Sequence, residues 1–172
     1  MTKLIGKIDS AERTFRRVSA AIAKAGVALL VIYSFATVVD VALRALVGRP
    51  IHGFEDFATL VIPVIAASFL PHVTICRANA RADIFGRSLG ATSAARLDLF
   101  GHLVLFVFLS VAAAQFTIFA SDARELTTMV LRAPMIPSLA LVSLLLIFSA
   151  VAQGVVLIAV RHGEAQTDAL DD

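Results

Sequence analysis

The side chains best suited to chemistry in this sequence are histidines near the ends of long apolar segments. His72 and His102 each lie close to one end of such a segment. Two histidines at similar depth in a helix bundle are the minimum set for bis-histidine haem ligation. The alternative is that each imidazole simply bonds backbone or water there. The sequence leaves both readings open.

Four carboxylate and guanidinium side chains mark the ends of the first two apolar segments. Asp40 and Arg44 are one helical turn apart, a spacing at which an acid and a base can pair. No second acidic residue lies in the same segment to pass a proton on, which favours a role in fixing helix position. Glu55 and Asp56 fall in the first turn of the next helix, where the helix dipole favours negative charge.

Other chemistry is missing from the sequence. Nothing resembles a hydrolase triad, a phosphate-binding loop or a zinc motif, and the single Cys76 excludes an intrachain disulfide and any multi-thiolate metal site. The net charge is +2, with the basic residues shared among segment ends rather than gathered in a stripe for nucleic acid. We therefore expect no enzyme, no catalytic residue, no cofactor, no metal and no nucleic-acid partner.

The elements that carry these residues are transmembrane helices. Hydrophobic residues make up 59% of the 172 residues, and mean hydropathy is +0.88. The stretch from Phe57 to Cys76 is uncharged, and its length of about 30 Å as a helix equals the thickness of a hydrocarbon core. The sequence predicts an all-α integral membrane fold, a single membrane domain over 1–172, whose four transmembrane helices span 20–47, 55–76, 97–121 and 134–160.

Three further segments are too polar to cross. Residues 1–19 form an amphipathic helix, which we expect either along the cytoplasmic interface or on a partner's cytoplasmic surface. Residues 78–95 form an interfacial segment between the second and third crossings, and 162–172 form an acidic tail.

Basic residues set the expected orientation. Placing the N-terminus in the cytoplasm puts eleven Lys and Arg residues on the inner side and four on the outer side. The outer four are Arg44, Arg49, Arg124 and Arg132. Both termini are then cytoplasmic, and loops 48–54 and 121–133 face out.

The interior of the crossings contains no ionisable group near the midplane. Gln115 and Gln153 are the glutamines within the third and fourth crossings, and each is expected to bond a neighbouring helix. A stand-alone exporter would need a carboxylate deep in a crossing, which argues against that class. The pattern favours an accessory or scaffold subunit, with a haem-bearing anchor of an electron-transfer enzyme and a small exporter as alternatives.

The order of several short motifs resembles one family. These motifs are Asp40-Val-Ala-Leu-Arg44, Gly48-Arg49-Pro50, Glu55-Asp56-Phe57-Ala58 and Arg77-Ala-Asn79-Ala-Arg81-Ala-Asp83-Ile84. Together they resemble the small membrane subunit, DctQ-like, of tripartite ATP-independent periplasmic (TRAP) transporters. That family has an arginine closing the first crossing, a Glu-Glu pair opening the second, and a following segment with histidine, a basic residue and aspartate. Here Asp56 replaces the second glutamate, Asn79 the histidine, and Phe54 a tryptophan.

The resemblance implies a part in a sodium-coupled transport system for organic acids in the bacterial inner membrane. Its expected partners are a large membrane subunit that carries the transport site, a periplasmic substrate-binding protein and the lipid bilayer. The chain itself would brace the large subunit and help dock the binding protein. Arg44, Glu55 and Asp56 would contact a partner at the outer face, or else make an intrachain salt bridge or cap. Arg77, Asn79, Arg81 and Asp83 would form an inner-face anchor.

Overall fold

The computed structural model describes residues 2–76 and 91–168, and its regular structure there is helical. The helices are α1 (Thr2–Val47), α2 (Phe54–Ile75), α3 (Ala91–Asp122) and α4 (Ile136–Asp168), with a single 3₁₀ turn at Ala123–Glu125. Within those residues there is no β-strand, only one isolated bridge between Thr127 and Pro134. The predicted all-α fold is confirmed.

Each of the four helices contains a segment long and apolar enough to cross a membrane. These segments are Arg13–Val47, Phe54–Ile75, Leu97–Asp122 and Ile136–Ile158. The prediction of four helices able to span a membrane is confirmed, and the predicted crossings 20–47, 55–76, 97–121 and 134–160 overlap α1 to α4 in turn.

Only part of the predicted interfacial and tail segments falls within the described residues. Helix α1 continues from Thr2 to Val47 without a break near residue 20, so the amphipathic stretch 1–19 and the first crossing share one helix. Its position along an interface stays a prediction. Of the predicted segment 78–95, residues 78–90 lie outside the described part of the chain, as do 169–172 of the acidic tail.

The helices pack as a row in the order α1, α2, α4, α3. Helix α4 packs against α2 on one side and α3 on the other, while α1 packs chiefly on α2. In agreement with this order, 44% of the α4 span is buried within the chain, against 11% of the α1 and α3 spans. The two helices at the ends of the row therefore expose most of their apolar surface.

Small side chains and α4 together make the core. One buried cluster joins α2, α3 and α4 through Ala67, Ala113, Val142, Leu145 and Leu146. A Cβ added at Gly26 of α1 would overlap the side chain of Ser68 on α2, so these two helices approach closely. Small residues permit such a close approach between membrane helices.

Candidate functional site at the loop end

We call the end of the molecule that carries segments 48–53 and 123–135 the loop end. Asp40 of α1 lies there, although its side chain is almost fully buried. Its Oδ1 accepts a hydrogen bond from the backbone N–H of Ile51 at 2.7 Å, and its Oδ2 lies 3.3 Å from Nη2 of Arg44. The Arg44 side chain is 60% exposed. Asp40 therefore fixes the first loop, while Arg44 extends from the same pair to the surface.

Asp56 fixes the second loop in the same way, by accepting hydrogen bonds from its backbone. Its side chain is buried, and Oδ2 accepts hydrogen bonds from the backbone N–H groups of Val130, at 3.0 Å, and Leu131. Glu55, the preceding residue, is exposed. The two adjacent acids that open α2 thus face different surroundings, one inside the protein and one outside.

The second loop is closed by its own hydrogen bonds as well. The Thr128 N–H donates to the carbonyl of Ala133, and the Ala133 N–H donates to the Thr128 hydroxyl, both at 2.9 Å. Arg132 turns the chain with φ of 52°, a left-handed value that is uncommon outside glycine. The loop holds its tip outward, so that the Met129 side chain is 97% exposed.

Gly53 lets the start of α2 meet this loop. Its φ of 78° is left-handed, and a Cβ at this position would overlap the side chain of Leu131. Glycine accepts both the backbone angle and the close contact, because it has no Cβ. The two loops therefore form one surface around the start of α2.

The charges exposed on this surface are mixed in sign. Among the residues whose side chains the structure describes, they are Arg44, Arg49, Glu55, Asp122, Glu125 and Arg132. Such a surface suits a polar partner rather than a strongly charged polymer. Among the residues that the structure describes, no group of three or more His, Cys, Asp and Glu residues is placed to hold a metal ion.

The opposite end of the molecule carries neutral polar contacts that the sequence analysis did not pair. Gln153 of α4 is fully buried, and its Nε2 lies 3.0 Å from Nδ1 of His102 on α3 and donates to the His102 carbonyl at 2.9 Å. The imidazole Nε2 lies 3.7 Å from Asp98. With Gln153 donating, Nδ1 accepts and the ring proton sits on Nε2. The expected bond from Gln153 to a neighbouring helix is confirmed.

His72 has different neighbours. Its Nδ1 lies 3.5 Å from the Ser19 hydroxyl of α1, and its ring lies within 4 Å of Cys76 Sγ. The two histidines considered as a ligand pair therefore have different neighbours: His72 lies near Ser19 and Cys76, and His102 lies near Gln153 and Asp98. The polar network at this end joins α3 to α4 and α1 to α2.

A groove runs between the loop-end halves of α3 and α4, with a volume of about 540 Å³. Its lining has no charged side chain. The hydroxyls of Thr117, Ser121 and Ser143, which line it, donate to backbone carbonyls of their own helices. The groove therefore suits apolar groups better than a carboxylate substrate.

Residues 33–164 match the model of the family described as tripartite ATP-independent periplasmic transporters, DctQ component. The chain belongs to the DctQ family. This DctQ chain is thus a small-subunit component of a TRAP transporter and a multi-pass protein of the inner membrane. No curated protein and no solved structure matches it significantly.

The structure brings only some of the predicted contact residues together. Arg44, Glu55 and Asp56 all lie at the loop end of this DctQ chain. The predicted anchor residues Arg77, Asn79, Arg81 and Asp83 lie outside the described residues. The sequence analysis missed the loop partner of Asp56. A carboxylate three residues after a glycine at a helix start, with a second acid beside it, was the available signal.

Proposed function

We propose that this DctQ chain is a static brace for the large membrane subunit of a sodium-coupled TRAP transporter of organic acids. The observation that carries the proposal is the row of helices, whose end members α1 and α3 leave broad apolar faces uncovered. A row offers more surface to a partner than a closed four-helix bundle of the same size. The large subunit would carry the substrate and sodium sites.

We propose the orientation with both termini in the cytoplasm and the loop end facing the periplasm. The distribution of basic residues, eleven against four, supports it. In this orientation the stretch 1–19 would lie at the inner surface, and Arg77, Asn79, Arg81 and Asp83 would anchor the chain there.

The loop end would help to dock the periplasmic substrate-binding protein. Arg44 and Glu55 are exposed there and would make polar contacts with a partner. Asp56 is occupied by backbone N–H groups of the second loop, so its part would be to hold Met129 and its neighbours in position. A fixed loop loses little conformational entropy on binding, which favours docking.

Purification of the tagged chain from its native membrane in mild detergent tests this function. Mass spectrometry of the eluate should find a stoichiometric, much larger multi-spanning protein, and its absorption spectrum should show no Soret band. A chain that is purified alone, or a red eluate with redox subunits, would overturn the brace. The haem alternative gains no support from His72 and His102, which have separate neighbours.

Uptake assays in liposomes test the proposed sodium coupling and the proposed organic-acid substrate. The chain and the large subunit reconstituted together, with the binding protein added outside, should take up an organic acid only with an inward sodium gradient. The chain alone should take up none. Uptake by the chain alone would favour the small exporter instead.

A further inference from the structure

Most hydroxyl side chains within the spans bond a backbone carbonyl of this chain. On α3, Ser110 donates to the carbonyl of Phe106 and Thr117 to that of Ala113. On α1, Ser34, which is exposed, donates to the carbonyl of Leu30 at 2.8 Å. In hydrocarbon these hydroxyl groups need no further partner, because the bond to their own helix already satisfies the O–H donor.

Gln115 of α3 is different. Its side chain is exposed, and it makes no hydrogen bond with any residue that the structure describes. It lies seven residues before Asp122, so about 10 Å of helix separates it from the end of the span. A primary amide at that depth has no water to bond and no partner among the described residues, which is unfavourable in lipid.

The residues around Gln115 form a continuous stripe along α3. They follow one another at steps of three or four, and every one is exposed: Leu97, Phe100, Val104, Phe108, Val111, Gln115 and Ile118. This is the spacing of a seam that packs against another helix. A single polar residue in such a seam fixes the register of two helices.

We propose that this α3 stripe packs against a transmembrane helix of the large subunit, and that Gln115 hydrogen-bonds a polar group of that helix. This inference rests on the proposed brace function and adds to it which face of the row meets the partner. In this arrangement the exposed face of α1 around Ser34 faces lipid, where that hydroxyl keeps its hydrogen bond to the Leu30 carbonyl.

Site-specific photo-cross-linking in the assembled complex tests whether the α3 stripe is the face that contacts the large subunit. A benzophenone amino acid at Val111 or Ile118, which flank Gln115 on the stripe, should cross-link to the large subunit. The same probe at Phe35, which is 71% exposed on α1, serves as the matched control and should not. Cross-links from Phe35 but not from the stripe would overturn the inference while leaving the brace in place. Cross-links from the stripe only to lipid or to a second copy of this chain would also overturn it.

The hydrogen bond is tested by Gln115→Leu, with Ser34→Ala as a control that also removes an exposed polar group from a span. Gln115→Leu should lower the recovery of the complex in a harsher detergent by about threefold, and Ser34→Ala should leave it unchanged. Equal recovery with Gln115→Leu and the unaltered chain would overturn the bond. If even the unaltered chain brings down no large subunit, the brace function itself fails, which is a separate outcome.

Discussion

The two ends of this DctQ chain are held by different chemistry. At the loop end, buried carboxylates accept hydrogen bonds from loop backbone, as Asp56 does from Val130 and Leu131. At the opposite end, a neutral side chain on α4, Gln153, bonds His102 on α3. The first arrangement fixes the shape of loops, whereas the second fixes one helix relative to another. Loss of a carboxylate should therefore free a loop, and loss of the amide should loosen a helix pair.

The largest effect on the fold is expected from Asp56→Ala. It leaves the N–H groups of Val130 and Leu131 without their acceptor, and hydrogen bonds to a charged group are stronger than average. The midpoint of thermal unfolding in detergent should fall by about 5 °C or more. Protease should then cut between residues 126 and 135.

Glu55→Ala is the matched control for that variant, because it removes an exposed carboxylate from the same helical turn. It should leave both the unfolding midpoint and the protease resistance of the loop unchanged. If the two variants lost equal stability, the second loop would not depend on Asp56.

A smaller effect is expected from Gly53→Ala. The variant would force a Cβ into the left-handed backbone at φ of 78° and against Leu131, at a cost of about 2 kcal/mol in the free energy of unfolding. Gly48→Ala is the matched control: φ there is 68°, but no heavy atom lies within 4 Å of the added Cβ, so only the backbone cost of about 1 kcal/mol remains.

Thermal unfolding of both glycine variants, and of Gly53→Ala combined with Leu131→Ala, measures the contact. The double variant should recover part of the loss, because the overlapping side chain is gone. No difference between Gly53→Ala and Gly48→Ala would mean that the loop does not press on the start of α2.

At the opposite end, Gln153→Leu should cost about 1 kcal/mol or less. It removes the interhelical bonds to His102, but it also removes a buried Oε1 that has no hydrogen-bond partner. Ser149→Ala is the control on the same helix, since the buried Ser149 hydroxyl bonds only the Leu145 carbonyl of α4. In a double-mutant cycle with His102→Leu, Gln153→Leu should be non-additive and Ser149→Ala additive. Additivity of Gln153→Leu would show that the two side chains do not interact in solution.

The sequence predicts the helices well because length and absence of charge decide a transmembrane segment. The sequence cannot predict which helix lies beside which. Each helix is apolar on all sides, so the period of its apolar residues does not identify the face that packs on a neighbouring helix. His102 and Gln153 both stood out as polar residues in crossings, yet their pairing depends on α3 lying beside α4. The partner of Asp56 lies 74 residues away in sequence, and a carboxylate in a first helical turn is already explained by the helix dipole.

The smallest effect on stability, and the one that separates folding from docking, is expected from Glu55→Lys. Glu55 is exposed, so reversing its charge should leave the unfolding midpoint unchanged. If the loop end docks the binding protein, uptake by the reconstituted complex should fall, and the loss should shrink at high salt because contacts between exposed charges are screened. Asp122→Lys reverses another exposed acid at the loop end. Its uptake shows whether docking depends on Glu55 in particular or on negative charge anywhere on this surface. Normal uptake with Glu55→Lys would confine the loop end to a structural role.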